Sequence, residues 1–335
     1  ILSTPFVGHE DDLQAMGLRC IDTEIDRRSI NPFKDMKLLK TYRQMLDELQ
    51  PDMVVTYSIK PNIYMGTACK AKGIPYVTNV QGLGTAFEKP VLSNVVSVMY
   101  RSALRKAGTV FFENEENAQF FLHKTIISPQ QMKALPGAGI NLDEYPYVPM
   151  QDDGVCSFLF VGRIMKENGV DEFFTAAKTI KAEFGEKVAF DVVGFYEDAY
   201  KEQVDQLVAD GIVRFHGFQT NVHPFYEAAD CVVLPSYHEG MSNVLLEGAA
   251  TGRALITSDI PGCREAVEDG VSGYLCPAQD AEGLTQAMSD FAQQSCDRQA
   301  QMGQSGRALV ARKFDKQLVV AKTLDGLGLP AAVRS

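Results

Sequence analysis

Pro235-Ser-Tyr-His-Glu-Gly-Met-Ser-Asn-Val-Leu-Leu-Glu-Gly-Ala-Ala-Thr-Gly252 lies between two short apolar runs, Asp230-Cys-Val-Val-Leu234 and Arg253-Ala-Leu-Ile-Thr257. Both runs read as buried strands. Between them, Ser242 is placed to cap a helix over 243–251 that Gly252 ends. The unit is strand–loop–helix–strand, the repeat of a parallel sheet, and its loop lies at the carboxyl edge where such sheets bind ligands. Gly240, next to a helix N-terminus, leaves backbone N–H groups that suit a phosphate. Glu239 in the loop and Glu247 one turn into the helix flank that position with carboxylates, acceptors for the hydroxyls of a sugar.

The order Pro-Ser-x-x-Glu-Gly-x-x-Asn-x-x-x-Glu-x-x-Ala-x-Gly resembles the Glu-x7-Glu signature of family-four retaining glycosyltransferases. The match continues through Ile260-Pro-Gly-Cys-Arg-Glu265 and Asp269-Gly-Val-Ser-Gly-Tyr274. Two glutamates at this spacing alone would be an ordinary helix surface; the extended match makes them a signature. The resemblance implies the α/β GT-B fold, two Rossmann-like doubly wound domains facing across a cleft. It extends to bacterial capsule, exopolysaccharide and lipid-linked oligosaccharide glycosyltransferases.

Composition is compatible with that architecture. A chain of 335 residues is long for one core, so two domains are expected. Hydrophobic content of 45% with 22% charged residues is that of a globular protein. No apolar run reaches the roughly 18 residues that a membrane span needs, and no signal peptide is evident. The seven cysteines form no Cys-x-x-Cys pair and read as reduced core residues of a cytoplasmic protein. The net charge of −11 is uneven: acidic and basic residues balance at 16 each through Met150, whereas 27 acidic and 16 basic residues follow. That acidic second half, with no basic patch interleaved with aromatics, argues against nucleic acid as a partner. The five histidines show no metal-ligand spacing, so no metal site is expected.

The first half alternates strands and helices. Strands are expected over 1–4, 18–25, 53–57, 76–80, 109–112 and 133–135, and helices over 9–16, 32–49 and 91–106. In the long helix, Met36, Leu38, Leu39, Tyr42, Met45, Leu46 and Leu49 are expected on one buried face. Two post-strand loops stand out: Ser58-Ile-Lys-Pro-Asn-Ile-Tyr64, and Asn79-Val-Gln-Gly-Leu-Gly-Thr-Ala-Phe87. They resemble loops of the polysaccharide and lipid-linked-oligosaccharide enzymes, which implies an acceptor side at Lys60, Gln81, Gly82 and Gly84. The helix over 91–106 ends in Arg101, Arg105 and Lys106. These cations complement the helix dipole, or they serve an interfacial helix on anionic lipid. Relatives open with a Gly-rich strand that this half lacks, so its first strand is expected to be missing.

Residues 145–154 read as a linker after Pro136-Gly-Ala-Gly-Ile-Asn-Leu-Asp-Glu-Tyr145. The expected division is 1–148 for the acceptor domain and 155–316 for the nucleotide-sugar domain. A terminal helix over 317–335 commonly crosses back to the first domain in relatives. The second domain opens with Cys156-Ser-Phe-Leu-Phe-Val161 and then Gly162-Arg-Ile-Met-Lys-Glu-Asn-Gly-Val170. A glycine followed by a basic residue suits a pyrophosphate, through close backbone approach and an Arg fork. Relatives carry Arg after the first glycine and Lys before the second. Arg163 matches, Asn168 stands at the lysine position, and Lys166 is two residues early. The later loops at Gly194 and at Phe218 face the donor in relatives, the latter near the base.

Together these readings describe a metal-independent, retaining hexosyltransferase without a cofactor. A nucleotide sugar, with UDP as the expected nucleotide, is the donor. The acceptor is a lipid-linked sugar or polysaccharide precursor, reached at the inner face of the membrane by peripheral contact. Glu239, Arg163 and Lys166 are the expected catalytic residues. Glu247, Gly240, Met241, Ser242, Asn243, Gly162, Asn168, Gly194 and Phe218 are expected to bind the donor. A nucleotide-sugar epimerase of the same fold and a sugar-nucleotide-binding subunit are the alternatives. A glycoside hydrolase is disfavoured by the phosphate-binding loop.

Overall fold

The computed structural model describes residues 1–5, 10–25, 31–83, 87 and 90–328. Two compact units are present. The first holds Ile1–Val80, Thr85–Phe111 and Phe121–Met132, and the second holds Gln81–Gly84, Phe112–Phe120 and Lys133–Ser335.

In chain order the first half gives β1 (Leu2–Thr4), α1 (Glu10–Ala15), β2 (Cys20–Asp22), α2 (Pro32–Leu49), β3 (Val54–Tyr57) and α3 (Ile59–Lys72). It continues with β4 (Tyr76–Val80), α4 (Pro90–Leu104), β5 (Val110–Phe112), α5 (Glu115–His123) and β6 (Met132–Ala134). β1 and β2 pair in parallel as one small sheet, while β3, β4, β5 and β6 form a second in that order. The expected strand over 18–25 is shorter than predicted. Leu18 N–H bonds the Leu13 carbonyl in the C-terminal turn of α1, so pairing starts only at Cys20.

Asn31 caps α2 by accepting the Phe33 and Lys34 amides, and Pro32 occupies its first position, where no N–H is needed. Leu38, Tyr42 and Leu46, four apart, are its buried stripe. Met36 is exposed instead: two residues before Leu38, it lies about 200° round the helix. α2, α3 and α4 run side by side. Lys60 meets Asp35 at their starts and Lys72 meets Asp47 near their ends, so α2 and α3 are parallel.

The second half supplies β7 (Cys156–Val161), α6 (Val170–Phe184), β8 (Val188–Val193), α7 (Lys201–Ala209), β9 (Arg214–Phe215), α8 (His223–Ala228) and β10 (Cys231–Leu234). Then come α9 (Asn243–Thr251), β11 (Ala254–Ser258), β12 (Gly273–Cys276), α10 (Ala281–Ala292), α11 (Cys296–Lys313) and α12 (Lys316–Leu327). Its parallel sheet runs β12-β11-β10-β7-β8-β9. Counted from β7, that is the doubly wound order 3-2-1-4-5-6, which reverses between β7 and β10. Their loops therefore flank the switch point, the place where such a sheet binds a ligand.

β10 and β11 are buried throughout, as runs covered on both faces should be. Phe158 stacks on Phe190 at 5.4 Å, with Phe173 and Phe291 against them, in the core under this sheet. β12 adds a strand to those expected. It packs so closely on β11 that a side chain at Gly273 would strike the Leu255 carbonyl. At the end of the chain, Ile140 N–H bonds Phe314 O at 2.8 Å and Lys316 N–H bonds Ile140 O at 3.0 Å, which seats α12 against residues 139–140.

Candidate active site

The loop after β10 and the helix α9 form as the sequence indicates. Ser242 accepts the Leu245 amide as N-cap, and Gly252 ends the helix in the left-handed conformation at φ 92°. Gly240 lies where only glycine fits. A methyl group there would run into the Gln81 carbonyl and come within 2.6 Å of Glu113 Oε2. The segments around Gln81, Glu113 and Gly262 all converge on this one residue.

Glu239 is half-buried beside it. Burial pushes its carboxyl up from the ordinary carboxylate range, while the Ser236 hydroxyl, donating at 3.1 Å, and the charge of Arg163 pull it back. Arg163 follows β7 with a half-exposed side chain, 3.9 Å from Glu197. Gly162 and Gly194 face each other so closely that a side chain at Gly194 would strike the Gly162 carbonyl. Lys166 is exposed at the start of a short 3-10 turn, its amide bonded to Asp198. The Asn168 side chain turns inward and donates to the Arg163 carbonyl at 3.0 Å. It therefore braces the arginine loop. Phe218 is 66% exposed and meets the exposed Phe195 edge to face at 6.0 Å.

Glu247 is more occupied than the motif suggests. Its carboxylate accepts Tyr226 Oη–H at 2.8 Å and also the Tyr145 hydroxyl. Tyr145 in turn stacks on His223 at 4.4 Å. Burial raises the Glu247 carboxyl, and both phenols and His223 lower it. The loop amides are partly committed as well. Met241 N–H faces Glu113, and Ser242 N–H bonds Gly262 O at 2.9 Å. The Met241 and Ser242 side chains are buried, so these two residues build the loop. Asn243 is exposed in the open first turn of α9, where helix geometry frees the amides.

The structure thus brings Gln81 and Gly82 against Gly240 and places Glu239 within the field of Arg163. Within the first unit the Lys60 ammonium is 2.8 Å from Asp35, which the Tyr64 hydroxyl also reaches. Gly84 lies outside the described residues. Glu113, Tyr145, Tyr226 and Phe195 carry no motif of their own; the sequence signal for Glu113 and Phe195 is that each follows a strand, and Tyr145 and Tyr226 have none.

Residues 156–294 match the family model described as glycosyl transferases group 1, and residues 1–114 match that described as glycosyl transferase 4-like. The two halves of the chain carry glycosyltransferase domains, of the 4-like kind and then of the group 1 kind. The glycosyltransferase is 26% identical over 295 residues, 83% of this chain and 77% of the relative, to the N,N'-diacetylbacillosaminyl-diphospho-undecaprenol alpha-1,3-N-acetylgalactosaminyltransferase of Campylobacter jejuni. It is 26% identical over 280 residues, 78% of this chain and 71% of the relative, to the UDP-Gal:alpha-D-GlcNAc-diphosphoundecaprenol alpha-1,3-galactosyltransferase of Escherichia coli. Among solved structures, a Rickettsia africae glycosyltransferase superposes with TM-score 0.77 at 19% identity, over 96% of this chain and 88% of that one. Anabaena HepE, crystallised with UDP and glucose, gives 0.78 at 17% identity over 96% and 90%. The fold is GT-B, with two Rossmann-like α/β domains.

Proposed function

We propose that the glycosyltransferase moves a hexosyl group from a UDP-sugar, with retention, to a sugar carried on a lipid diphosphate. The observation that carries this reading is the pairing, at the switch point of the second sheet, of Arg163 with the Glu239–Gly240 loop and the open first turn of α9. Arg163, Lys166 and those amides take the charge of the departing diphosphate. Phe218 and Phe195 offer stacking area for a base, and Glu247, steadied by two tyrosines, keeps acceptor capacity for ribose hydroxyls. Glu239 accepts hydroxyls of the transferred sugar. The relatives from Campylobacter and Escherichia are named for undecaprenyl-diphosphate-linked sugars and α-1,3 products. An α product from an α-linked nucleotide sugar is retention. The division of labour follows: residues 1–148 for the acceptor, 155–316 for the donor.

A lipid-borne acceptor calls for membrane contact, and α4 offers a surface for it. Val91, Val95 and Val98 are all more than half exposed along one side, ahead of Arg105 and Lys106. Among the described residues no helix is long and apolar enough to cross a membrane.

The test is to incubate the protein with labelled UDP-sugars, with and without a polyprenyl-diphosphate sugar, and with EDTA. Label is expected in the lipid fraction only when acceptor is present, at a rate EDTA leaves unchanged. Donor turnover without acceptor would favour the epimerase reading instead, and EDTA inhibition would remove the metal-free mechanism.

A further inference from the structure

Glu113 and Asn114 follow β5 and lie against the loop that carries Glu239. Asn114 Nδ2 donates to the Gly240 carbonyl at 2.8 Å. The Glu113 carboxylate lies against the same peptide, its Oε2 2.6 Å from where a Gly240 side chain would begin, and it faces the Met241 amide and the Gln81 side chain. Gly240 C=O and Met241 N–H are the two ends of one peptide unit. Adjacent residues therefore flank both ends of a single peptide plane, next to the glutamate that would face the transferred sugar. The Gln81 carbonyl closes the third side, leaving Gly240 no room for a side chain. Turning that plane over would break the Asn114 bond and present a carbonyl to the Glu113 carboxylate where an amide now lies.

We propose that Glu113 is a positioning residue of the transfer site: with Asn114 it grips the Gly240–Met241 peptide and so fixes the loop that aims Glu239. The proposal rests on the donor site described above. The grip is also titratable. Burial, aided by the charge of Glu239, raises the Glu113 carboxyl to about 7, against the pull of its bonds to Gln81 and Met241. Glu239 is the charged group bearing on it; Arg163 acts on Glu239 from the loop after β7, and Cys263 and Glu265 belong to the Gly262 loop behind. A carboxyl whose folded pKa exceeds its unfolded value costs stability as pH rises from the unfolded value through the folded one. Between pH 5 and 8 the wild type should therefore lose stability that Glu113→Gln keeps.

Melting curves at pH 5 and pH 8, with and without UDP, decide the matter for wild type, Glu113→Gln and Glu113→Leu. Without ligand, the advantage of Glu113→Gln over wild type should grow by several degrees from pH 5 to pH 8. With UDP, Glu113→Gln, which keeps an acceptor for Met241 N–H, should retain the UDP-induced shift, and Glu113→Leu should lose more than half of it. Should Glu113→Leu not fold, Glu113→Gln alone decides through its pH dependence. A Glu113→Gln protein that tracks wild type at both pH values would overturn the proposal, as would a folded Glu113→Leu with the full UDP shift. A wild type that UDP does not shift would count against the donor reading alone, and the ligand-free series would still decide this one.

Discussion

At the scale of single residues, Glu239 is held between opposing influences: burial raises its carboxyl, and Ser236 and Arg163 restore its tendency to ionise. A carboxylate so placed can follow the charge that develops on the sugar. Glu239→Gln should therefore lower kcat and kcat/KM together, by about a hundredfold, while UDP affinity stays within threefold of wild type. Steady-state kinetics beside calorimetry separate the two, and a wild-type kcat would remove Glu239 from the chemistry. Glu247 makes a different prediction. Tyr226→Phe deletes one of its two phenol donors and should cost about 1 kcal/mol of stability, read in denaturant melts; no change in midpoint would mean that the bond is idle. The two glutamates were legible because their motif is local, eight positions apart on one loop and helix. Their partners were not. Asn114 reaches Gly240 across 126 positions, and Tyr226 reaches Glu247 across 21, with no pattern in the chain to announce either contact.

At the scale of elements, α9 was readable to the residue because both ends are signed. Ser242 accepts an amide at the start and Gly252 takes a left-handed conformation at the end. Ser242→Ala should cost about 1 kcal/mol. Gly240→Ala should be far worse, because its methyl meets the rigid Gln81 carbonyl rather than a side chain that can turn away. A Gly240→Ala protein with wild-type UDP affinity would show that the close approach is not needed. Elements whose limits depend on neighbours were less legible. β2 begins late because α1 holds Leu18, and β12 escapes notice because four residues opening on a glycine resemble a turn. The burial of α2, by contrast, was within reach of the sequence. There the step of about 100° per residue already parts Met36 from Leu38 by about 200°, so helix geometry alone places Met36 off the buried stripe.

At the scale of the whole molecule, alternation of strands and helices predicts a doubly wound fold, but strand order is a property of the closed sheet. Only the structure shows β7 next to β10, and hence the arginine loop beside the glutamate loop. The charge distribution and the exposed valines of α4 belong to this scale as well. Arg101 donates to the Thr125 and Lys124 carbonyls, so part of the basic end of α4 has a structural task. The valines are therefore the sharper test: Val95→Asp with Val98→Asp should reduce sedimentation with anionic liposomes severalfold, and unchanged sedimentation would leave α4 out of membrane contact. The central claim is that a nucleoside diphosphate binds between the loops that follow β7 and β10. It is tested most directly by titrating UDP into wild type, Arg163→Ala and Lys178→Ala by calorimetry. A lost charged partner is worth about 2 kcal/mol or more, so Arg163→Ala should bind UDP at least about thirtyfold more weakly. Lys178→Ala, a control on α6, should match wild type. Equal affinity for Arg163→Ala and wild type would contradict the account.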